Sequence, residues 1–368
     1  MVWRNLLRRP VRTSLTVLGV SVGLALIVAL VSIADGYSSQ FSAMLSSSGS
    51  DLTVMQANSA DMALSAVDEV AGRRIAAVPG VAKVAGVLFS AVPMAGTPYF
   101  LVFGYDPGDY AFGHFKLVEG KPLSPRAAAG RSREIMLGRT AAESLKKRVG
   151  ESVKLFNTPY RVVAIYETGI SFEEGAGVVS LAEAQRVFRK PNQVSLYGVK
   201  LRDPQQADAV RTEILKRVDD ITVSRSAEFA ENTQDIQVTR SFAWAISIIS
   251  VLAGGIGMMN TILMSVFERT REIGVLRALG WRRRWVLTLI LQESLLLSFV
   301  GAVCGSLLGV GLGKLIELSP MGSILPTSFS VRLFAQVGVT ALLLGAVGGL
   351  YPAYRASNLR PVEALHYE

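Results

Sequence analysis

From residue 241 to residue 267 the chain runs 27 residues without a charged side chain. It then crowds six arginines and two glutamates into 268–284 and turns apolar again as far as Gly313. A bilayer's hydrocarbon core is about 30 Å thick and takes roughly 20 helical residues to cross. A charged island between two spans of that length therefore reads as helix, short basic loop, helix. Positive loops stay on the cytoplasmic side, so the island also orients what precedes and follows it. The pattern constrains the chain to an integral membrane protein.

Half of the residues are hydrophobic and the net charge is +9, a pairing that in a soluble chain would point to nucleic acid. Location argues otherwise. Residues 35–240 hold 24 Lys/Arg against 23 Asp/Glu, and the rest of the chain holds 14 against 6. The excess flanks apolar spans: Arg4, Arg8, Arg9 and Arg12 before the first, the island, and Arg355 and Arg360 after the last. That is a topology signal, so the partner expected is a lipid membrane and not a nucleic acid. The one cysteine, Cys304, excludes a disulfide framework within one chain.

The expected fold class is an α-helical membrane protein with four transmembrane helices and a large extracytoplasmic α+β domain inserted between helices 1 and 2. The spans fall at 13–34, 241–267, 285–313 and 333–354. An even number puts both termini in the cytoplasm: an amphipathic helix at 1–12 and a tail at 355–368. The 314–332 loop and the 35–240 domain then lie outside. The first span is too long for a signal-peptide core and no A-x-A site follows it.

Within 35–240, apolar alternation predicts strands near 52–56, 81–88, 99–103, 135–137, 153–156, 161–166, 194–201 and 221–223. Helical patterns occupy 67–78, 139–148, 181–189 and 205–218, and Ser180 with Glu183 has capping-box spacing. Tyr37, Phe41, Met44 and Leu45 carry a helical stripe beyond the first span, and 227–240 leads into the second, so stalk helices are expected at both ends.

Catalytic chemistry finds little to work with. The only histidines are His114 and His366, too few for a zinc site or a Ser-His-Asp relay. Glu173 and Glu174 sit in a glycine-rich turn and read as solvated loop charge. The GVGLGK run at 309–314 is not a phosphate loop, because Leu308 and Leu315 stand where one needs Gly and Ser/Thr. No cofactor, metal or catalytic residue is expected in this chain. Gly301, Gly305, Gly309 and Gly313 instead recur every four residues along one face of the third span. Gly19 with Gly23, and Gly345 with Gly349, repeat the spacing. Small residues let helix backbones approach closely in lipid, so these are helix-packing candidates. Glu293, near the cytoplasmic end of its span, reads as interfacial or snorkelling.

In FERTREIGVLRALG (267–280), Ile273, Leu276 and Gly280 share one helical face, while Glu268, Arg269, Arg271 and Glu272 crowd the start. A short charged helix at the cytoplasmic surface suits docking on a soluble partner. Composition alone equally allows a loop that only sets topology.

The stretch FERTREIGVLRALGWRRRWVLTLILQESLLLSFVGAVCGSLLGVGLG (267–313) resembles MacB/FtsX-type ABC transporter permeases. In that family an E-R-x-[RK]-E-[IV]-G-x-x-[RK]-A-[LMV]-G element joins the second and third spans. YPAYRASNLRPVEALHYE (351–368) resembles the family's closing run, and WRNLLRRPVRTSLTVLGVSVG (3–23) its opening helix. The resemblance implies a dimeric permease, homo- or heterodimeric, in a bacterial cytoplasmic membrane. It implies two copies of a cytoplasmic ATPase, which bind ATP and Mg. They dock on a coupling helix at 268–284 matched by Glu268, Arg269, Arg271, Glu272, Ile273, Gly274, Arg277 and Gly280. ATP-driven motion relayed to the outer domain would drive efflux, with a periplasmic adaptor as a further candidate partner. Since the chain opens at the basic helix, the ATPase is expected as a separate polypeptide. The alternative is an ATPase-independent receptor or scaffold, or an FtsX-like regulator of an extracytoplasmic hydrolase.

Overall fold

The computed structural model of the chain describes residues 10–59, 62–94, 97–227, 234–319 and 325–358. The helix expected at 1–12 and the tail at 355–368 fall mostly outside these. Two compact units result. A membrane unit comprises Met1–Ile33, Arg240–Leu315 and Thr327–Glu368; a sheet unit comprises Ala34–Thr239 with Ile316–Pro326.

The chain enters through α1, Pro10–Ser47. Nothing between Arg12 and Asp35 carries charge, and Tyr37, Phe41, Met44 and Leu45 keep an apolar stripe past the first span. The helix therefore persists until Gly49 turns left-handed at φ +78°. In order there follow β1 (Leu52–Gln56), β2 (Val67–Asp68), α2 (Glu69–Ala76), β3 (Val81–Met94), β4 (Thr97–Tyr105) and β5 (Lys116–Gly120). Next come α3 (Pro125–Ala128), β6 (Glu134–Gly138), α4 (Arg139–Leu145), β7 (Ser152–Leu155), β8 (Thr158–Glu167) and α5 (Ser171–Glu174). The unit closes with β9 (Gly177–Ser180), α6 (Leu181–Val187), β10 (Gln193–Val194), β11 (Leu196–Leu201), α7 (Ala207–Arg217) and β12 (Ile221–Arg225).

Ten strands form one sheet in the order β12-β1-β11-β3-β4-β9-β6-β8-β5, with β7 on β8; β2 and β10 make a separate ribbon. Pairing is mixed, parallel at β4 with β9 and at β6 with β8. The middle of the sheet is covered on both faces. Along β4, Phe100 and Val102 join one core with Ala141, Ala142 and Ala184. Leu101, Phe103 and Tyr105 join another with Phe41, Met44 and Phe172.

Several expectations shift for local reasons. The helix expected at 67–78 starts later because Asp68 caps it, its Oδ1 accepting from Val70 N at 2.6 Å, while Val67 and Asp68 pair with β10. β5 is exposed at every position and β9 is buried at all four, so neither shows the alternation that reveals a strand. Ser180 Oγ accepts from Glu183 N at 3.3 Å, but the Glu183 carboxylate turns to Tyr160 Oη at 2.5 Å and to Arg186. Only half of the capping box forms.

The membrane unit adds α8 (Gln234–Glu268), α9 (Thr270–Ala278), α10 (Arg283–Glu317) and α11 (Val331–Ser357). Among the described residues, four helices are long and apolar enough to cross a membrane: α1, α8 from Ser241, α10 and α11. Glycines set their contacts. A Cβ added to Gly301 would stand 2.6 Å from Val20, one on Gly305 2.7 Å from the Ser21 carbonyl, and one on Gly309 2.6 Å from Val28. Three successive turns of α10 thus lie directly on α1, and Ser21 Oγ donates to Gly301 O at 3.1 Å. Gly345 and Gly349 receive Ser298 and Ser294 of α10, and Gly23 meets Ser250 at 3.2 Å.

Two glycines depart from the expected role. Gly313 meets the Phe329 ring, which precedes α11 and belongs to no helix. Gly19 has nothing within 4 Å. A four-residue step rotates about 40° around a helix, so Gly19 falls on the open side of α1 with Leu15, Leu18 and Val22.

Candidate functional site at the charged island

α8 ends where Arg269 leaves helical geometry at φ −113°, ψ 19°, as the N-cap of α9. The Thr270 hydroxyl donates back to Val266 O at 3.1 Å and Phe267 O at 2.9 Å, holding the corner. α9 stops in a Schellman arrangement. Gly280, at φ +94°, donates to Arg277 O at 3.2 Å, and Trp281 N donates to Leu276 O at 3.1 Å. Only glycine takes that backbone without strain.

The nine residues of α9 have two distinct sides. Thr270, Ile273 and Gly274 are buried, with Ile273 in the cluster of Val266, Val286, Ile290, Ala353 and Ala356. Arg271, Glu272, Val275 and Leu279 are exposed, Leu279 at 76%. Charges fasten the corner. The Arg269 guanidinium meets the Glu293 carboxylate of α10, the two side chains being 13% and 3% exposed. Removing one partner of a buried pair costs about 3–5 kcal/mol, because the other charge is left desolvated. Arg12 grips Glu268 with two bonds, at 2.8 and 3.2 Å. That pair is partly wet and worth about 0–1 kcal/mol. Arg277 donates to Trp281 O at 3.1 Å through Nη1, and its buried Nε has no partner among the described residues.

The residues matched to a docking element therefore divide. Arg269, Ile273 and Gly274 face the chain's own interior, Arg277 is half-buried, and Glu268 is tied to Arg12. Arg271, Glu272 and Gly280 remain exposed. Val275 and Leu279 join them; the motif asks for an apolar residue at Leu279 and leaves Val275 unspecified. A helical wheel separates 270, 273, 274 and 277 from 271, 275 and 279, and that signal was present in the sequence. Glu293 does not snorkel: it points inward to Arg269, as a carboxylate within a span requires a cation.

In the sheet unit, Glu173 is not a solvated loop charge but fully buried, with Oε1 2.9 Å from His114 Nε2. Glu174 accepts backbone N–H bonds from Thr168 and Gly169 at 3.2 and 2.8 Å. Burial pulls the His114 imidazolium down, but hydrogen bonding and charge from Glu173, with the Ala111 carbonyl, outweigh it and the net shift is upward. Among the described residues no group of three or more His, Cys, Asp or Glu side chains is placed to hold a metal.

Four apolar helices, a sheet unit inserted after the first, and a short helix pinned between the second and third define a multi-pass membrane protein. The chain belongs to the MacB/FtsX-type ABC transporter permeases. Residues 13–217 match the MacB-like periplasmic core domain and 244–361 the FtsX-like permease C-terminal region. Over its full length it is 28% identical to the pyoverdine export ATP-binding/permease protein PvdT of Pseudomonas savastanoi, of which it spans 58%. It is 27% identical to the uncharacterized ABC transporter permease YvrN of Bacillus subtilis, of which it spans 98%. The solved extracellular domain of the noncanonic ABC-type transporter YknZ aligns with 47% of this chain and 99% of its own, at 15% identity and a TM-score of 0.39.

Proposed function

We propose that this chain is the non-catalytic permease subunit of an exporter in a bacterial cytoplasmic membrane. It relays ATP-driven motion of two copies of a separate cytoplasmic ATPase, which hold ATP and Mg, to its extracytoplasmic sheet unit. Both termini are cytoplasmic in this reading, and a second permease copy completes the dimer. The observation that carries it is the two-sidedness of α9. One side is locked to α8, α10 and α11 by Ile273 and by Arg269 with Glu293; the other offers Arg271, Glu272, Val275 and Leu279. A loop that only set topology would need neither the lock nor the exposed apolar pair. A separate ATPase is supported by the match to nearly the whole length of YvrN, a permease. Export is supported by the similarity to PvdT, a pyoverdine export protein.

The test is pull-down of the ATPase, with its turnover, in the reconstituted complex. Leu279→Asp and Glu272→Lys should leave membrane insertion intact and weaken pull-down, the first by a factor of tens if Leu279 is worth about 2 kcal/mol at the contact. Glu293→Gln should spare that surface but uncouple turnover from the permease, by freeing Arg269. Wild-type pull-down in both surface variants overturns the docking assignment.

A further inference from the structure

A cleft of about 540 Å³ opens in the sheet unit between the end of β3, the end of α4 and the β7–β8 turn. That size lies in the range of small-molecule sites. Its apolar wall is Pro93, Met94, Leu145, Val153 and Phe156; Lys147 and Lys154 supply charge, and no carboxylate lines it. Neither ammonium has an ion-pair or hydrogen-bond partner among the described residues, and Lys147 is half-buried where a free ammonium gains nothing from the protein. Lys146, left-handed at φ 52° as the C-cap of α4, turns the chain so that Lys147 lines the cleft.

The turn supplies a second, independent observation. Phe156 and Asn157 occupy its two central positions at φ 46° and 64°, the geometry of a two-residue hairpin that favours Asn-Gly. A bulky residue with positive φ is disfavoured by its own Cβ, and this ring is also 47% exposed. Among the described residues its one ring neighbour is Phe188, at a centroid distance of 6.5 Å. An aromatic kept against both backbone and solvent preference, beside two unpaired cations, is arranged for something else.

We propose that this cleft binds a small amphiphilic carboxylate, its acyl or aryl body against Met94, Leu145 and Phe156 and its anion between Lys147 and Lys154. The site belongs to the sheet unit, whereas the charged island belongs to the membrane unit, and it does not rest on ATPase docking. The test uses the full chain in phosphatidylcholine nanodiscs with 4-benzoylbenzoate as a photoreactive aryl carboxylate, its neutral methyl ester as control, and peptide mapping of the adducts. Saturable labelling of the cleft segments is expected, falling about tenfold or more in K147E/K154E, since a charged hydrogen bond is worth at least that factor. If that variant does not fold, K147Q/K154Q should show a fall in the same direction. Phe156→Asn should also lower labelling, without lowering the thermal stability of the protein, because asparagine suits the turn. Equal labelling by the methyl ester, labelling indifferent to the lysine changes, or no saturable labelling of the cleft each overturns the proposal.

Discussion

The two units of this chain are held together by opposite means. In the sheet unit bulky rings do the packing: Phe41 lies 5.0 Å from Phe172, Phe89 5.0 Å from Phe103, and Phe115 4.8 Å from Tyr166, by ring centroids. In the membrane unit the closest approaches are made where side chains are missing, at Gly301, Gly305 and Gly309 against α1 and at Gly345 and Gly349 against α10. Water explains the first, since each buried aromatic removes a large apolar area from it. Lipid explains the second. Helices gain nothing by hiding leucine from acyl chains, so close backbone contact and short polar bonds hold them.

The comparison breaks most readily at Phe172, fully buried among Tyr37, Phe41, Phe89 and Phe103. Phe172→Ala should destabilise the sheet unit by about 3–5 kcal/mol. Hydrogen exchange should show that loss in the sheet strands while amides of α10 and α11 keep wild-type protection. Equal loss in both would mean that the two units unfold as one.

Next in size is Gly305→Leu, which must part α10 from the Ser21 backbone and Leu24. Overpacking of this kind costs about 1–3 kcal/mol, and assembly in mild detergent should fail before the sheet unit loses structure. Leu307→Val, at a 70% exposed position, should behave as wild type. If Gly305→Leu assembles normally, small-residue packing does not hold this unit.

Legibility followed the same division. The four spans and the island were readable because lipid enforces length and charge placement. The spacing of Gly301, Gly305 and Gly309 marked the α10 face that lies on α1. Gly19 shows the limit: spacing names a face, not the neighbour that covers it. In the sheet unit, β1 (LTVMQ) and β6 (EIMLG) stood out with three apolar residues each, while β5 (KLVEG) and β9 (GVVS) carry two each and gave no pattern to read. At the island the motif marked a stretch that folds as the short helix α9 but not which of its sides is buried. Arg269 and Glu293 lie 24 positions apart, and their pairing became visible only with the turn at Thr270. Glu173 was misjudged because a glycine-rich turn looks solvated until His114 is folded against it.

The smallest effect expected is a pH dependence confined to one unit. His114 faces Glu173 and the rings of Tyr105 and Phe115, and its folded pKa is raised. A raised value means that the folded state holds the proton more tightly than the unfolded chain. The stabilisation is therefore complete below the unfolded histidine value, about 6.5, and is lost as pH rises through the folded one. Glu134, lowered, titrates below this window; Asp109, raised to about 6 by burial, finishes ionising at its lower edge with the same sign, so the comparison with His114→Gln is what isolates the histidine. The sheet unit should unfold at lower temperature at pH 8 than at pH 6.5, and His114→Gln should flatten that difference. The described part of the membrane unit contains no histidine, so protection of α10 and α11 should not follow the same curve. A dependence that survives His114→Gln, or that appears equally in α10, would assign the titration to another group and remove this contrast between the units.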